Sequence, residues 1–410
     1  MTRSDRKEGI ANSPTIRIVH TSLFNFLNYL AIGLLLATLP GFVHLQLGLS
    51  PFWAGCAVSS QYLATLVSRP QVGRMTDVIG PRTTVLLGQV ASVFSGLCLL
   101  AAVSLRSTIV PCFVVLLVSR LILGCAESCI ATGSTTWGLG RVGAEHTAQV
   151  ISWSGIAAYG AMAAGAPLGI WLEARYGIGS LGVTVSGISL LSLALALPIG
   201  AVPILRGAHL PFTKLLGRML LPGLGLALGT VGFAAIASFT TLFYASHTWT
   251  HPAHALVLFG SCFVAVRLFF AGTINRWDGF RVALVSFAVE FAGLLVLWLA
   301  NTPDMALVGA SLSGCGFALA FPALGVEAVK TVTDQNRGSA LGIYTAFLDL
   351  SMGITGPVAG FIIGRFGYSA IFLYGSGAAV CAFVITLHLY RVSRGRRTRT
   401  EQQILGLQES

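Results

Sequence analysis

Charge is what this sequence has least of. Only 10% of its 410 residues are charged, and only 14 are acidic, whereas a soluble domain carries about 25% charged residues. That scarcity excludes an ordinary water-soluble globule. No Walker-type phosphate loop occurs, so nothing points to ATP as an energy source. Gly138-Leu-Gly140-Arg-Val-Gly143 formally spells a dinucleotide fingerprint, but no strand precedes it and no βαβ pattern follows, which removes that reading. All eight cysteines fall inside apolar runs. Cys125 and Cys129 sit one helical turn apart without a histidine or third cysteine to complete a metal set. They read as small packing residues, and neither metal nor cofactor is expected. The first apolar run is too long for a leader peptide and lacks a small-residue cleavage site, so it is expected to stay as a helix.

What the chain has in abundance is apolar sequence, 55% of all residues. A membrane-spanning helix needs about 20 such residues. Twelve runs qualify: 16–44, 51–72, 83–105, 111–138, 148–172, 180–203, 220–246, 252–274, 282–300, 304–329, 339–363 and 370–390. The prediction is an all-α membrane protein of twelve transmembrane helices. The net charge of +11 is distributed unevenly. With the N-terminus inside, 20 of the 25 basic residues fall in inner segments, while Arg106, Arg175 and Arg365 lie in outer loops. This positive-inside bias puts both termini in the cytoplasm of a bacterial cell, with the chain multi-pass in its inner membrane. The Arg391–Arg399 cluster then faces anionic lipid rather than nucleic acid. The expected organisation is a tail (1–14), a six-helix bundle (15–205), a basic linker (206–218), a second bundle (219–391) and a basic tail (392–410).

A few polar side chains interrupt the apolar runs. Arg120 and Glu127 lie almost two turns apart in the fourth, hence on nearly one face. A charge at mid-membrane costs about 2.5–3.5 kcal/mol on insertion scales, so such residues face a protein interior or a wet cavity. Asn25, Asn28 and Tyr29 share a face of helix 1, where Pro40 can bend the outer end. Gln61 and Tyr62 occupy helix 2. Helix 7 offers Ser238, Thr240, Thr241 and Tyr244 as a polar stripe. Glu290 in helix 9 is expected in a structural pair. Arg267 is expected toward the inner end, pairing a carboxylate or phosphate. Glu327 and Lys330 form a gate or surface pair. His247, His251 and His254 are the one histidine cluster and do not make a catalytic set, so no enzyme is expected.

The loop Gly73-Arg-Met-Thr-Asp77-Val-Ile-Gly80-Pro-Arg82 has the spacing G-x-x-x-D-x-x-G-x-R. Gly73 would allow close helix approach and Gly80 a positive φ. Asp77 would accept from a helix N-terminus or an arginine, making a latch. The second half of the chain repeats the first. At a shift of 190, Gly124-Cys125 meets Gly314-Cys315, Pro167 meets Pro357, and Arg175-Tyr-Gly177 meets Arg365-Phe-Gly367. At a shift of 198, Asp77 meets Asn275 and Gly80 meets Asp278. Six helices per half keep both halves in one orientation, a parallel repeat. Gly165-Ala-Pro167 and Gly356-Pro357 mark helix-packing segments in equivalent helices. Arg120, Glu127 and Asp349 break the repeat, meeting Ala310, Phe317 and Tyr159, so their charges are not requirements of the scaffold.

The loop motif and the repeat resemble the major facilitator superfamily over about residues 15–391. RLILGCAES (120–128), TWGLG (136–140), GAPLG (165–169), FPALGVE (321–327) and FGYS (366–369) resemble the YfcJ/YhhS, arabinose-efflux-like, group of bacterial permeases. The resemblance implies a monomeric secondary transporter, proton-driven, with Arg120 tied to proton coupling. Its expected partners are a small-molecule substrate, protons and lipid. The expected pathway residues are Arg120, Glu127, Asp349, Asn25, Asn28, Tyr29, Tyr159, Gln61 and Tyr244. Substrate binding at Arg120 would release a proton from Glu127. Proton antiport with export is the leading expectation and symport with import the alternative. A sugar, an organic anion and an apolar drug all remain open as substrate.

Overall fold

A computed structural model describes residues 14–143, 146–202, 212–270, 272–332 and 337–408. Among them there is no strand. Inside a bilayer every backbone N–H and C=O must be satisfied within the chain, and a helix does this segment by segment. The first six helices are α1 (Pro14–Leu36), α2 (Pro51–Ile79), α3 (Pro81–Ser104), α4 (Ile109–Val142), α5 (Thr147–Tyr176) and α6 (Gly179–Ala196). The second six are α7 (Phe212–Ser246), α8 (Pro252–Phe270), α9 (Gly279–Trp298), α10 (Pro303–Phe317 continuing as Ala320–Val329), α11 (Arg337–Phe366) and α12 (Ala370–Gln408). The chain is a multi-pass membrane protein of two six-helix halves.

Eleven of the helices are long and apolar enough to cross a membrane by length and composition. The exception is α2, whose apolar character is diluted by Gln61, Thr65, Arg69, Arg74 and Asp77. α7 begins at Phe212, inside the stretch read as linker, and α12 runs on to Gln408. Residues 1–13 of the expected N-terminal tail and 206–211 of the linker lie outside the described residues.

The helix boundaries follow local chemistry. Pro51, Pro81, Pro252 and Pro303 open helices, where a missing N–H costs nothing. Thr302 caps α10 by accepting from the Met305 amide at 3.3 Å. α10 is interrupted at Ala318–Leu319 because Pro322 cannot donate to the carbonyl four residues back and its ring crowds that carbonyl. Beyond Leu36 the α-helical form of the first span gives way to a short turn at Leu39–Gly41, containing Pro40, and a π-helical stretch at Phe42–Gln46.

The internal repeat is written in the backbone. Gly177 and Gly367, related by the shift of 190, have φ of 78° and 87°. Gly80 and Asp278, related by the shift of 198, have φ of 87° and 84°. Asp278 keeps the left-handed turn without glycine, and its carboxylate accepts from the Phe280 amide at 3.0 Å.

The termini of α1 and α12, the α2–α3 turn and the α4–α5 turn lie on one face of the membrane, here the terminal face. On the opposite, far face the two halves meet backbone to backbone. A Cβ at Gly55 in α2 would run into the Gly356 carbonyl of α11, and one at Gly356 into Gly55 and Ser59. The Ser59 hydroxyl donates to the Met352 carbonyl at 3.1 Å, and Thr241 of α7 donates to the Ala37 carbonyl at 3.1 Å. Gly260 of α8 packs on Ala163 of α5. Within the first half, Gly165 and Gly169 of α5 seat on the α1 backbone at Leu30–Leu34. Pro167 and Pro357 lie inside α5 and α11. All eight cysteines are free thiols.

Candidate functional site

With the far face sealed, an internal cavity of about 270 Å³ remains between the halves, toward the terminal face. Its walls come from α1, α2, α4, α5, α7, α10 and α11. Tyr29, Glu127, Tyr159, Asn25 and Asp349 of the expected set line it, together with Arg69, Tyr62, Phe233 and Phe321. Tyr159 and Asp349, which occupy equivalent positions in the two halves, both face this space.

Glu127 is the centre of a polar chain on the first-half side. Gln61 Nε2 donates to Glu127 Oε2 at 2.9 Å, and the Thr65 hydroxyl donates to the same oxygen at 3.0 Å. Tyr29 also lies against Glu127. Gln61 Oε1 accepts from Arg120 Nη2. Arg120 is wholly enclosed and does not line the cavity. It therefore does not pair Glu127 directly; the Gln61 amide stands between them, accepting from the guanidinium through its oxygen and donating to the carboxylate through its nitrogen.

Asp349 holds a different partner. Arg69 Nε donates to Asp349 Oδ2 at 2.5 Å, joining α2 of the first half to α11 of the second. Arg69 also attracts Glu127, and the two carboxylates repel one another across the cavity. Arg69 reads in the sequence as one of the inner-segment basic residues, yet it belongs to this site. Its signal was present: Gln61, Thr65 and Arg69 recur every fourth residue, one stripe along one helix face.

Other side chains sit elsewhere than expected. The Tyr244 hydroxyl reaches the Pro303 carbonyl at 3.5 Å near the far face, away from the cavity. Thr240 bonds back to Ile236 and Thr241 crosses to α1, so neither makes a cavity stripe. Asn25 lines the cavity and donates to the Ser154 carbonyl at 3.1 Å, while the Asn28 amide is buried without a partner among the described residues. Glu290 is not paired either: both its oxygens are buried without a partner among the described residues. Among the described residues Arg267 meets no carboxylate. It stacks on Tyr159 instead, 4.9 Å from the ring centroid.

At the terminal face the loop motif is only partly engaged. Arg82 donates to the Ile199 and Leu197 carbonyls at 2.8 and 2.7 Å, tying the α3 start to the end of α6. Asp77 is exposed and has no partner among the described residues, so no latch exists in this arrangement. Open space surrounds the position of a Cβ at Gly73, so that glycine is not needed here for close approach. In the second half Glu327 accepts from Lys330 at 2.6 Å and from the Gly279 amide at 3.0 Å, clasping α10 to the start of α9.

A family model for the Major Facilitator Superfamily matches residues 21–288 and 253–408. The chain belongs to the major facilitator superfamily. This superfamily member is 50% identical over 381 residues to an uncharacterized MFS-type transporter of Burkholderia pseudomallei, covering 93% of this chain and 94% of the relative. A Pseudomonas aeruginosa MFS-type transporter, also uncharacterized, is 48% identical over 380 residues, with 93% and 94% covered. Among solved structures the fold is similar to a D-xylose-proton symporter, at TM-score 0.76 and 14% identity, covering 91% of this chain and 96% of that one. It is also similar to the human organic anion transporter MFSD10, at TM-score 0.71 and 18% identity, covering 92% and 100%. The protein is thus a membrane transporter of this superfamily.

Proposed function

We propose that the chain is a proton-coupled secondary transporter of a small organic molecule, working by alternating access in a bacterial inner membrane with both termini cytoplasmic. The observation that carries this reading is that Arg69, bonded to Asp349, lines the same cavity as a second carboxylate, Glu127, whose charge it also feels. Asp349 belongs to one half and Glu127 to the other. With Asp349 ionised, Arg69 ties the halves together. A proton on Asp349 removes that tie and leaves Arg69 to Glu127, its neighbour in the same half. Protonation thereby exchanges a bond between halves for one within a half, which is what rocking about a central site requires.

The first reading of direction is export by proton antiport. The carboxylates line the same cavity as the substrate, so proton and substrate use one space in turn. The second reading, import by symport, is favoured by Arg267, which stands behind the cavity-lining Gly155 with no carboxylate against it among the described residues, because an anion held there would draw a proton onto the carboxylates.

The test uses purified protein in liposomes loaded with a pH-sensitive dye under an imposed proton gradient. Sugars, amino acids, organic anions and cationic drugs are added to wild type, Glu127→Gln and Asp349→Asn. Substrate-dependent proton flux that one of the substitutions abolishes is the expected result, and the sign of the flux separates antiport from symport. Substrate movement without proton flux, unaltered in both variants, sinks the coupling.

A further inference from the structure

We propose that the cavity takes an organic anion with a flat apolar body, and that Arg267 holds its carboxylate. This deepens the transport reading and rests on it for the cavity being a substrate site. The Arg267 guanidinium lies over Tyr159 at 4.9 Å, Phe263 at 5.6 Å and Phe321 at 6.0 Å from the ring centroids. Aromatic faces attract a cation but accept few of its hydrogen bonds, and a guanidinium has five N–H donors to place. Nη1 is shut off from solvent and has no partner among the described residues.

The acidic side chains nearby are committed elsewhere. Glu127 is held by Gln61 and Thr65, and Asp349 by Arg69. A guanidinium partly withdrawn from water, with no carboxylate against it among the described residues, lacks a counter-charge, and a ligand carboxylate supplies that partner in the two-pronged geometry a guanidinium favours.

The approach is open because of Gly155. This residue lines the cavity, and a Cβ there would come within 3.2 Å of Arg267 Nη2. Any side chain at 155 would stand between the guanidinium and the cavity. Tyr159, Phe233 and Phe321 on the same wall offer ring faces to the rest of the ligand. A cationic drug meets Arg267 as a like charge, and a neutral sugar brings it no counter-charge. The other two arginines do not compete for the role: Arg120 is enclosed behind Gln61, and Arg69 is spent on Asp349.

The test is calorimetric titration of the full chain in detergent micelles with phenylacetate, 4-phenylbutyrate and 2-naphthoate, each beside its primary amide and its amine. The expected result is saturable binding of at least one carboxylate, with its amide and amine at least about tenfold weaker, the scale of a charged hydrogen bond. Arg267→Gln should erase the preference and Arg267→Lys retain part of it. Absence of binding by every carboxylate overturns the proposal, as does equal binding of the amides or a preference that survives in Arg267→Gln. The acid-against-amide comparison needs only the unaltered chain, so it decides even where a variant fails to fold. Carboxylate binding without proton flux in liposomes would remove the coupling and leave the anion site standing. Proton flux driven by an amine or amide, untouched by Arg267→Gln, would do the reverse.

Discussion

Replacing Gly356 by valine should prise the two halves apart on the far face. The glycine has no room to spare: a Cβ there would collide with Gly55 and with the Ser59 hydroxyl, and backbone cannot step aside as a flexible side-chain tip can. Overpacking of this kind costs about 1–3 kcal/mol. Separation of α2 from α11 relieves it, so the cost falls on the closed arrangement alone. At 1.4 kcal/mol per factor of ten, 2 kcal/mol multiplies the ratio of far-face-open to far-face-closed molecules by about 30. Hydrogen exchange read by mass spectrometry should rise in peptides covering 51–63 and 350–361, and transport should slow because one half of the cycle is disfavoured. The control is Gly364→Val on the same helix, where a Cβ meets nothing within 4 Å. Equal exchange in the two variants, or wild-type transport by Gly356→Val, would refute the reasoning.

Three further outcomes are expected. Gln61→Leu removes the one hydrogen bond Arg120 makes among the described residues and strands a buried guanidinium; it should cost about 3–5 kcal/mol, seen as a lower unfolding midpoint in micelles, and a loss under about 1 kcal/mol would count against the bridge. Glu290→Met replaces a carboxyl with no partner among the described residues by a chain of similar length and should raise stability by about 1–3 kcal/mol; a fall in the unfolding midpoint would reveal a partner. Asp77→Asn, on an exposed side chain with no hydrogen-bond or ion-pair partner among the described residues, should change stability by less than about 0.5 kcal/mol, while a slower transport cycle in the same variant would place the latch in the opposite, terminal-face-closed arrangement.

The architecture was legible because hydrophobic run length answers directly to the thickness of the bilayer. The repeat was legible too, but the left-handed turn at Asp278 was not: an aspartate in place of Gly80 looked like a degenerate copy of the loop, and the backbone keeps the turn all the same. The site was legible in part. A charge in an apolar run announces itself, so Glu127 and Asp349 were visible without a structure. Their partners were not, since pairing across helices depends on rotation about each axis. Arg120 and Glu127, two turns apart on one helix, looked like a pair; Gln61 from a neighbouring helix separates them. Arg69 was hidden by its place near the end of a run, where a basic residue is ordinarily a topological marker. Arg267 was visible as a charge in an apolar run, but its seat against aromatic rings was not, because sequence offers no hint of which rings a neighbouring helix will bring to an arginine.

The placement of the cysteines has a practical consequence. Each thiol sits within an apolar run, Cys125 and Cys381 are exposed on helices of membrane-spanning length, and none lines the cavity. A charged, membrane-impermeant thiol reagent should therefore leave the native chain unlabelled. A single cysteine introduced at Asp77 or at Trp249 would then report which side of the membrane it faces against a silent background, without stripping the eight native thiols first.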